Sequence, residues 1–239
     1  MKKINYYTAA ATRELDRLAI EDFNIPGFDL MHRAANASYN ALLKNWPNVQ
    51  KIIVLCGTRN NGGDGFIIAA LAKESGIHVD IFVAGDLSSI SGDARTALDY
   101  ALSTGLKPLP ANEFIQKIRQ QNNYNKSTLD KVVIVDALLG TGLRGKVREP
   151  YSHIIDAINS SSLAVLAVDI PSGLCSDTGT ILGSAVKADL TITFIGQKIG
   201  LATNSGSKLV GKLIFDDLNV PKAIYSKVPV SKVIQSGRE

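Results

Sequence analysis

Three stretches of the chain combine oxygen-bearing side chains with glycine, and each stands directly behind a short apolar run. Ile52-Ile53-Val54-Leu55 leads into Cys56-Gly57-Thr58-Arg59-Asn60-Asn61-Gly62-Gly63-Asp64-Gly65. Val132-Val133-Ile134-Val135 leads into Asp136 and then Gly140-Thr141-Gly142-Leu143-Arg144-Gly145-Lys146. Residues 163–168 lead into Asp169-Ile170-Pro171-Ser172-Gly173. In the first stretch, three glycines in four positions let the backbone approach a ligand, with φ values closed to other residues. Asp64 stands where the N-cap of a following helix belongs. A loop so built at the end of a buried strand suits phosphate, because helix N-termini present free amides to anions. A fourth stretch, Gly196-Gln197-Lys198, follows Thr191-Ile192-Thr193-Phe194-Ile195.

Each stretch also has a plainer explanation. The Asn60–Gly65 run could be a tight turn with Asp64 as a cap, although a turn needs one or two glycines rather than three. Gly140-Thr141-Gly142-Leu143-Arg144-Gly145 matches G-x-G-x-x-G, but that pattern carries little by itself. A dinucleotide fingerprint opens a helix at once, whereas the next helical pattern here starts near Pro150; an extended loop covering a ligand fits better. Asp136 or Asp169 alone could be a cap, and Ser172 a turn residue; two aspartates at matching strand ends favour function. Lys198 is by type a solvent-facing lysine. His32, His78 and His153 have no metal-ligand spacing, and Cys56 reads as a small core residue.

The elements that must position these residues alternate along the chain. Apolar runs predict strands at 51–56, 78–84, 131–136, 163–168, 190–195 and 210–215. Helices are predicted at 64–75, 91–104, 111–121 and 150–159, with Pro150 at a first helical position. The first forty-odd residues read as helical, broken at Pro26-Gly27, and residues 120–130 as a polar turn. Val/Ile-rich strands separated by helices imply an α/β fold: one Rossmann-like three-layer sandwich with a mostly parallel sheet and an N-terminal helical extension. All four motifs then fall at carboxyl ends of parallel strands, where open α/β sheets bind ligands.

At 239 residues and 45% hydrophobic content the chain can bury a sizeable core. Its net charge of +4 is concentrated at one end. After Asp217 stand Lys222, Lys227, Lys232 and Arg238 against Glu239 alone, so residues 222–239 read as a solvated basic tail or linker stub after a domain spanning 1–221. The near-neutral body argues against a nucleic-acid face. Two distant cysteines imply no disulfide framework. With no signal peptide and no apolar run of membrane-spanning length, the chain is expected to be cytoplasmic.

Together, Cys56-Gly57-x-x-Asn60-Asn61-Gly62-Gly63-Asp64-Gly65, Asp136-x-x-x-Gly140-Thr141-Gly142 with Arg148-Glu149-Pro150-Tyr151, and Val168-Asp169-Ile170-Pro171-Ser172-Gly173 resemble the NAD(P)H-hydrate epimerase family. The order agrees from Arg13-Glu14-Leu15-Asp16 and Ile25-Pro26-Gly27 to about Pro221. The resemblance implies a homodimer that interconverts the R and S forms of hydrated NADH and NADPH (NADHX and NADPHX), so that a companion dehydratase can restore the cofactor. It puts Asn60, Asn61, Gly62, Gly63 and Asp64, and Gly140, Thr141, Gly142, Leu143, Arg144, Gly145 and Lys146, on the dinucleotide. It puts Asp169 at the hydrated nicotinamide and gives one potassium ion per subunit to Asn61, Asp136 and Ser172. Those three are hard oxygen donors, and a lone carboxylate suits a monovalent ion. Epimerisation needs a proton moved to and from the hydroxyl of the reacting carbon, and Asp169 is the first candidate for that acid–base group, with Asp64 second. The family loop commonly has glycine where Arg59 stands, so Arg59 either reaches an unusual φ or makes a phosphate contact of its own.

Two other readings compete. Domains of this type also occur as non-catalytic dimerising or RNA-binding scaffold modules, which need not keep Asn61, Asp136, Asp169 and Ser172 together. A dehydrogenase using intact NAD would want an acidic residue at the end of the second strand, whereas Asp80 lies within it.

Overall fold

The computed structural model describes residues 3–120 and 131–235. Seven strands form one sheet in the order β4-β3-β2-β5-β6-β7-β9, and every neighbouring pair is parallel. They are β2 (Lys51–Cys56), β3 (His78–Val83), β4 (Leu109–Pro110), β5 (Val132–Ala137), β6 (Ala164–Val168), β7 (Leu190–Phe194) and β9 (Lys212–Asp216). Six of the seven are the predicted strands, shifted by a residue or two at some ends. Their side chains alternate between faces, as strand geometry requires. Val54, Cys56, Val133, Val135, Leu166 and Val168 join one apolar cluster, while Ile53, Leu55, Ile134, Val165 and Ala167 join another on the opposite face. The first cluster is covered by α2 (Gly27–Asn45), α3 (Asn60–Glu74) and α4 (Gly92–Ser103), the second by α5 (Ala111–Gln120) and α6 (Tyr151–Ser160). Central α3, with Phe66, Ile67, Ile68, Ala69 and Ala70 all fully buried, is apolar on every side because helices flank it on the sheet.

From β2 the chain winds outward through β3 and β4, then returns to build β5, β6, β7 and β9 on the other side. The strand order therefore reverses between β2 and β5, where Leu55 is in register with Asp136 and Cys56 with Ala137. A crevice at the carboxyl ends of two such strands is where doubly wound sheets take ligands.

The N-terminus corrects the helical expectation. Lys3–Tyr7 forms β1, ahead of α1 (Ala9–Arg17), whose N-cap Thr8 accepts a hydrogen bond from the Ala11 N–H at 3.2 Å. In a second, three-stranded sheet, β1 pairs antiparallel with β10 (Lys232–Gln235) and parallel with β8 (Gln197–Lys198). The C-terminal stretch is likewise not a solvated tail over 222–235. Ile224 in α8 (Ile224–Lys227) and Val228 are buried in the main core, and β10 is hydrogen-bonded to β1. Residues 121–130, expected as a turn, and the final four lie outside the described residues.

Candidate active site

The glycine-rich stretch is the opening of α3 rather than a loop before it. The helix begins at Asn60, and Arg59 occupies the N-cap with φ −115° and ψ −171°. Asp64 is thus not the cap; it lies in the second turn, nine-tenths buried. Arg59 needs no unusual φ. Nor do the glycines: Gly62, Gly63 and Gly65 have none of the positive φ angles that would reserve those positions for glycine. Their role is close packing. A Cβ at Gly62 would stand 2.0 Å from the Gly57 carbonyl oxygen, one at Gly63 2.6 Å from Met31 Sδ, and one at Gly65 2.7 Å from both Ala137 Cβ and Cys56 Sγ. Without side chains here, α3 can start directly against the ends of β2 and β5. The first intrahelical bond runs from Gly63 N–H to Arg59 O at 3.0 Å, so the preceding amides of the turn lack helical acceptors.

Asp136 and Ser172 form a second, fully buried group. Ser172 Oγ–H donates to Asp136 Oδ1 at 2.6 Å, the Ser172 backbone N–H donates to Oδ2 at 2.8 Å, and the Leu138 N–H donates to Oδ1 at 3.3 Å. Ser172 Oγ in turn accepts from the Leu139 N–H at 2.8 Å, tying the loop after β5 to the loop after β6. Burial raises the Asp136 carboxyl to about 6, against the pull of those donors. Asn61 is buried nearby in α3, its side chain against Gly140, and neither its amide nitrogen nor its amide oxygen has a hydrogen-bond partner among the described residues. An orphaned buried amide calls for an occupant, since each such group otherwise costs a lost hydrogen bond. An amide oxygen, a carboxylate and a hydroxyl are a fitting donor set for a hard cation of low charge. Among the described residues, no group of three or more His, Cys, Asp or Glu side chains is arranged to hold a metal ion.

Asp169 differs in kind. It ends β6 with φ +66°, and the Ile170 N–H closes back onto Val168 O at 2.8 Å, a tight γ-turn that thrusts the carboxylate out of the sheet. Beside it, at the end of β7, Ile195 adopts φ +59°, unusual for a β-branched residue. Its carbonyl accepts from Tyr225 Oη at 2.8 Å, which pins the strained turn. These two turns bring Lys198 back under Asp169. Lys198 is 1% exposed; its Nζ donates to Asp169 Oδ1 in a short contact, to Thr193 Oγ1 at 3.0 Å and to Phe194 O at 3.2 Å. Asp64 and the partly buried Asp16 of α1 lie close enough to this pair for the charges to act on one another. Burial, then the Asp169 and Asp16 charges, push the Asp64 carboxyl far up, with Lys198 opposing. Burial likewise raises Asp16 to about 6, again opposed first by Lys198.

The remaining predicted residues form the rim. Asn60 is exposed at the start of α3; Gly140, Thr141 and Leu143 are half-buried, while Gly142, Arg144, Gly145 and Lys146 are exposed. The loop is anchored beyond them by Val147 N–H to Leu182 O at 2.8 Å. Sequence reasoning missed Asp16 and undervalued Lys198, which is the opposite of solvent-facing. Its position behind a strand end was the available signal.

The family described as YjeF-related protein N-terminus matches residues 27–200, which take in all of these motifs. The chain belongs to this family. An NAD(P)H-hydrate epimerase from Limosilactobacillus fermentum is 36% identical over 88% of the chain and 95% of its own length. A bifunctional NAD(P)H-hydrate repair enzyme from Coxiella burnetii is 42% identical over 93% of the chain, which spans only 43% of that relative. The crystal structure of yeast ynu0 superposes with a TM-score of 0.78, covering 95% of this chain and 93% of the yeast one at 18% identity, so the two share a fold. No helix among the described residues is long and apolar enough to cross a membrane.

Proposed function

We propose that this chain is an isomerase that interconverts the R and S forms of NADHX and NADPHX. The observation that carries the reading is the partly exposed Asp169 carboxyl, held at the carboxyl end of β6 by the buried Lys198, with the buried Asp64 carboxyl close enough to feel its charge. Relatives named as NAD(P)H-hydrate epimerases, matched over nearly their full length, support it. The free amides opening α3 would take the pyrophosphate, with Asn60 to Asp64 beneath it and Gly140 to Lys146 covering the dinucleotide.

The epimerised carbon bears a hydroxyl and the ring nitrogen. A proton given to the hydroxyl lets the C–O bond break with its electron pair leaving on water, while the nitrogen lone pair forms a C=N bond. Water re-adding from the opposite face loses its proton to a base, so atoms and charge balance over the cycle. Asp169 is the acid–base residue beside that carbon, and water exclusion comes from the rim loop. Asn61, Asp136 and Ser172 would hold one potassium ion per subunit, supplying fixed positive charge near the pyrophosphate. A homodimer and a separate dehydratase that consumes the S form complete the reading; bifunctional repair relatives support the second.

The test supplies racemic NADHX together with an S-specific dehydratase. Complete consumption of racemic NADHX is expected with the chain present, against half without it. Half consumption in both would leave a non-catalytic scaffold of the same fold.

A further inference from the structure

Lys198 presents an arrangement that the epimerase reading above does not use. Its three ammonium hydrogens meet three acceptors, on Asp169, Thr193 and Phe194, leaving none for a substrate. The groups around the pair are Asp16 with Arg13 from α1, Asp64 from α3, and, farther out, Tyr7 from β1 and Tyr225. Three carboxyls thus share one buried cation. Like charges so placed disfavour one another's ionisation, and the buried cation opposes that at Asp16 and Asp64.

Resting on the epimerase reading, we propose that Lys198 is a positioning residue: its buried ammonium, anchored on Thr193 and Phe194, holds the Asp169 carboxyl in place and sets the charge against which it works. The cost of burying a lysine is offset by three charge-assisted bonds, and Thr193 doubles as acceptor for Lys198 and donor to Asp169 at 3.3 Å. Both Asp16 and Asp64 feel the Lys198 charge, so its removal shifts the whole cluster in one direction.

The test is Lys198→Met, with Lys198→Arg as the conservative partner. In Lys198→Met, kcat at pH 7 should fall about 10- to 100-fold with KM within about twofold. The kcat/KM pH profile should move upward by about one unit, and Lys198→Arg should return it. Independently of turnover, the carboxyl carbon-13 signal of Asp16 should titrate near 6 in the parent and higher in Lys198→Met. A folded Lys198→Met with an unmoved profile and an unmoved Asp16 titration overturns the proposal. Should Lys198→Met not fold, Thr193→Val decides by the same two readouts, with a smaller upward shift expected and no shift being fatal. A parent that titrates as described but never converts R-NADHX would instead sink the epimerase reading and leave the charge assignment standing.

Discussion

Asp136 and Asp169 end neighbouring strands of one sheet, yet they live in opposite surroundings. Asp136 is fully buried, satisfied by donors from Ser172 and Leu138, and faces no lysine or arginine among its described partners. Asp169 is partly exposed, sits on a left-handed turn and leans on the ammonium of a buried lysine. A carboxylate tied by backbone and hydroxyl donors braces two loops together. One held by a single cation, with a face left to solvent, is free to meet a reacting atom. On the function proposed above, the same residue type at the same end of adjacent strands is a structural hub in one place and the reagent in the other, and each assignment can be broken separately.

The largest effect is expected for Asp169→Asn. It should lower epimerisation at least about a thousandfold, within the range of lost general acid–base catalysis, while NADPHX binding measured by calorimetry persists. Retained turnover would reassign the reagent. Asp136→Ala should act on stability instead: it strands the buried N–H groups of Leu138 and Ser172 and leaves the Ser172 hydroxyl only its long bond to Leu139 O, costing about 3 kcal/mol by urea denaturation. If Asp136→Ala folds as stably as the parent and only Asp169→Asn unfolds, the contrast is inverted.

Asp16 sharpens the charge side of the comparison. Its carboxyl sits at about 6 when folded, above the ordinary value of 3.8, so the folded state binds the proton more tightly than the unfolded chain. Its contribution is therefore fully present below pH 4 and is lost as the pH rises through about 6. Asp16→Asn should consequently be more stable than the parent above pH 6, by about 1–2 kcal/mol, with the gap closing near pH 4. Thermal unfolding at both pH values reads this. The smallest effect belongs to Asn61→Ala, which removes an amide that has no partner. Without potassium its stability should change by less than about 1 kcal/mol, while any rise in Tm on replacing sodium by potassium chloride should vanish.

Much of this was legible in the chain because it is written locally. Val/Ile runs located six strands of the main sheet, and their order of use placed Asp136 and Asp169 at carboxyl ends. The helix beginning at Asn60 was not legible, since Asn-Asn-Gly-Gly is a poor helix start by propensity; packing against Gly57, Met31 and Ala137 overrides it. The glycines were correctly singled out, but for φ angles they do not adopt. Lys198 was hardest to read. Its burial depends on the strained turn at Ile195 and on β1, far away in sequence, so only its place behind a strand end hints at it.

The small sheet has a consequence for how the molecule comes into being. Lys3 stands opposite Gln235, and the ribbon they share continues through Tyr7 to Lys198. During synthesis the first strand must wait for residues 232–235 before its antiparallel neighbour exists, and such distant pairings form slowly. The shelf carrying the lysine is therefore finished after the seven-stranded layer, so the strand ends that bear Asp136 and Asp169 are in place before Lys198 is walled in.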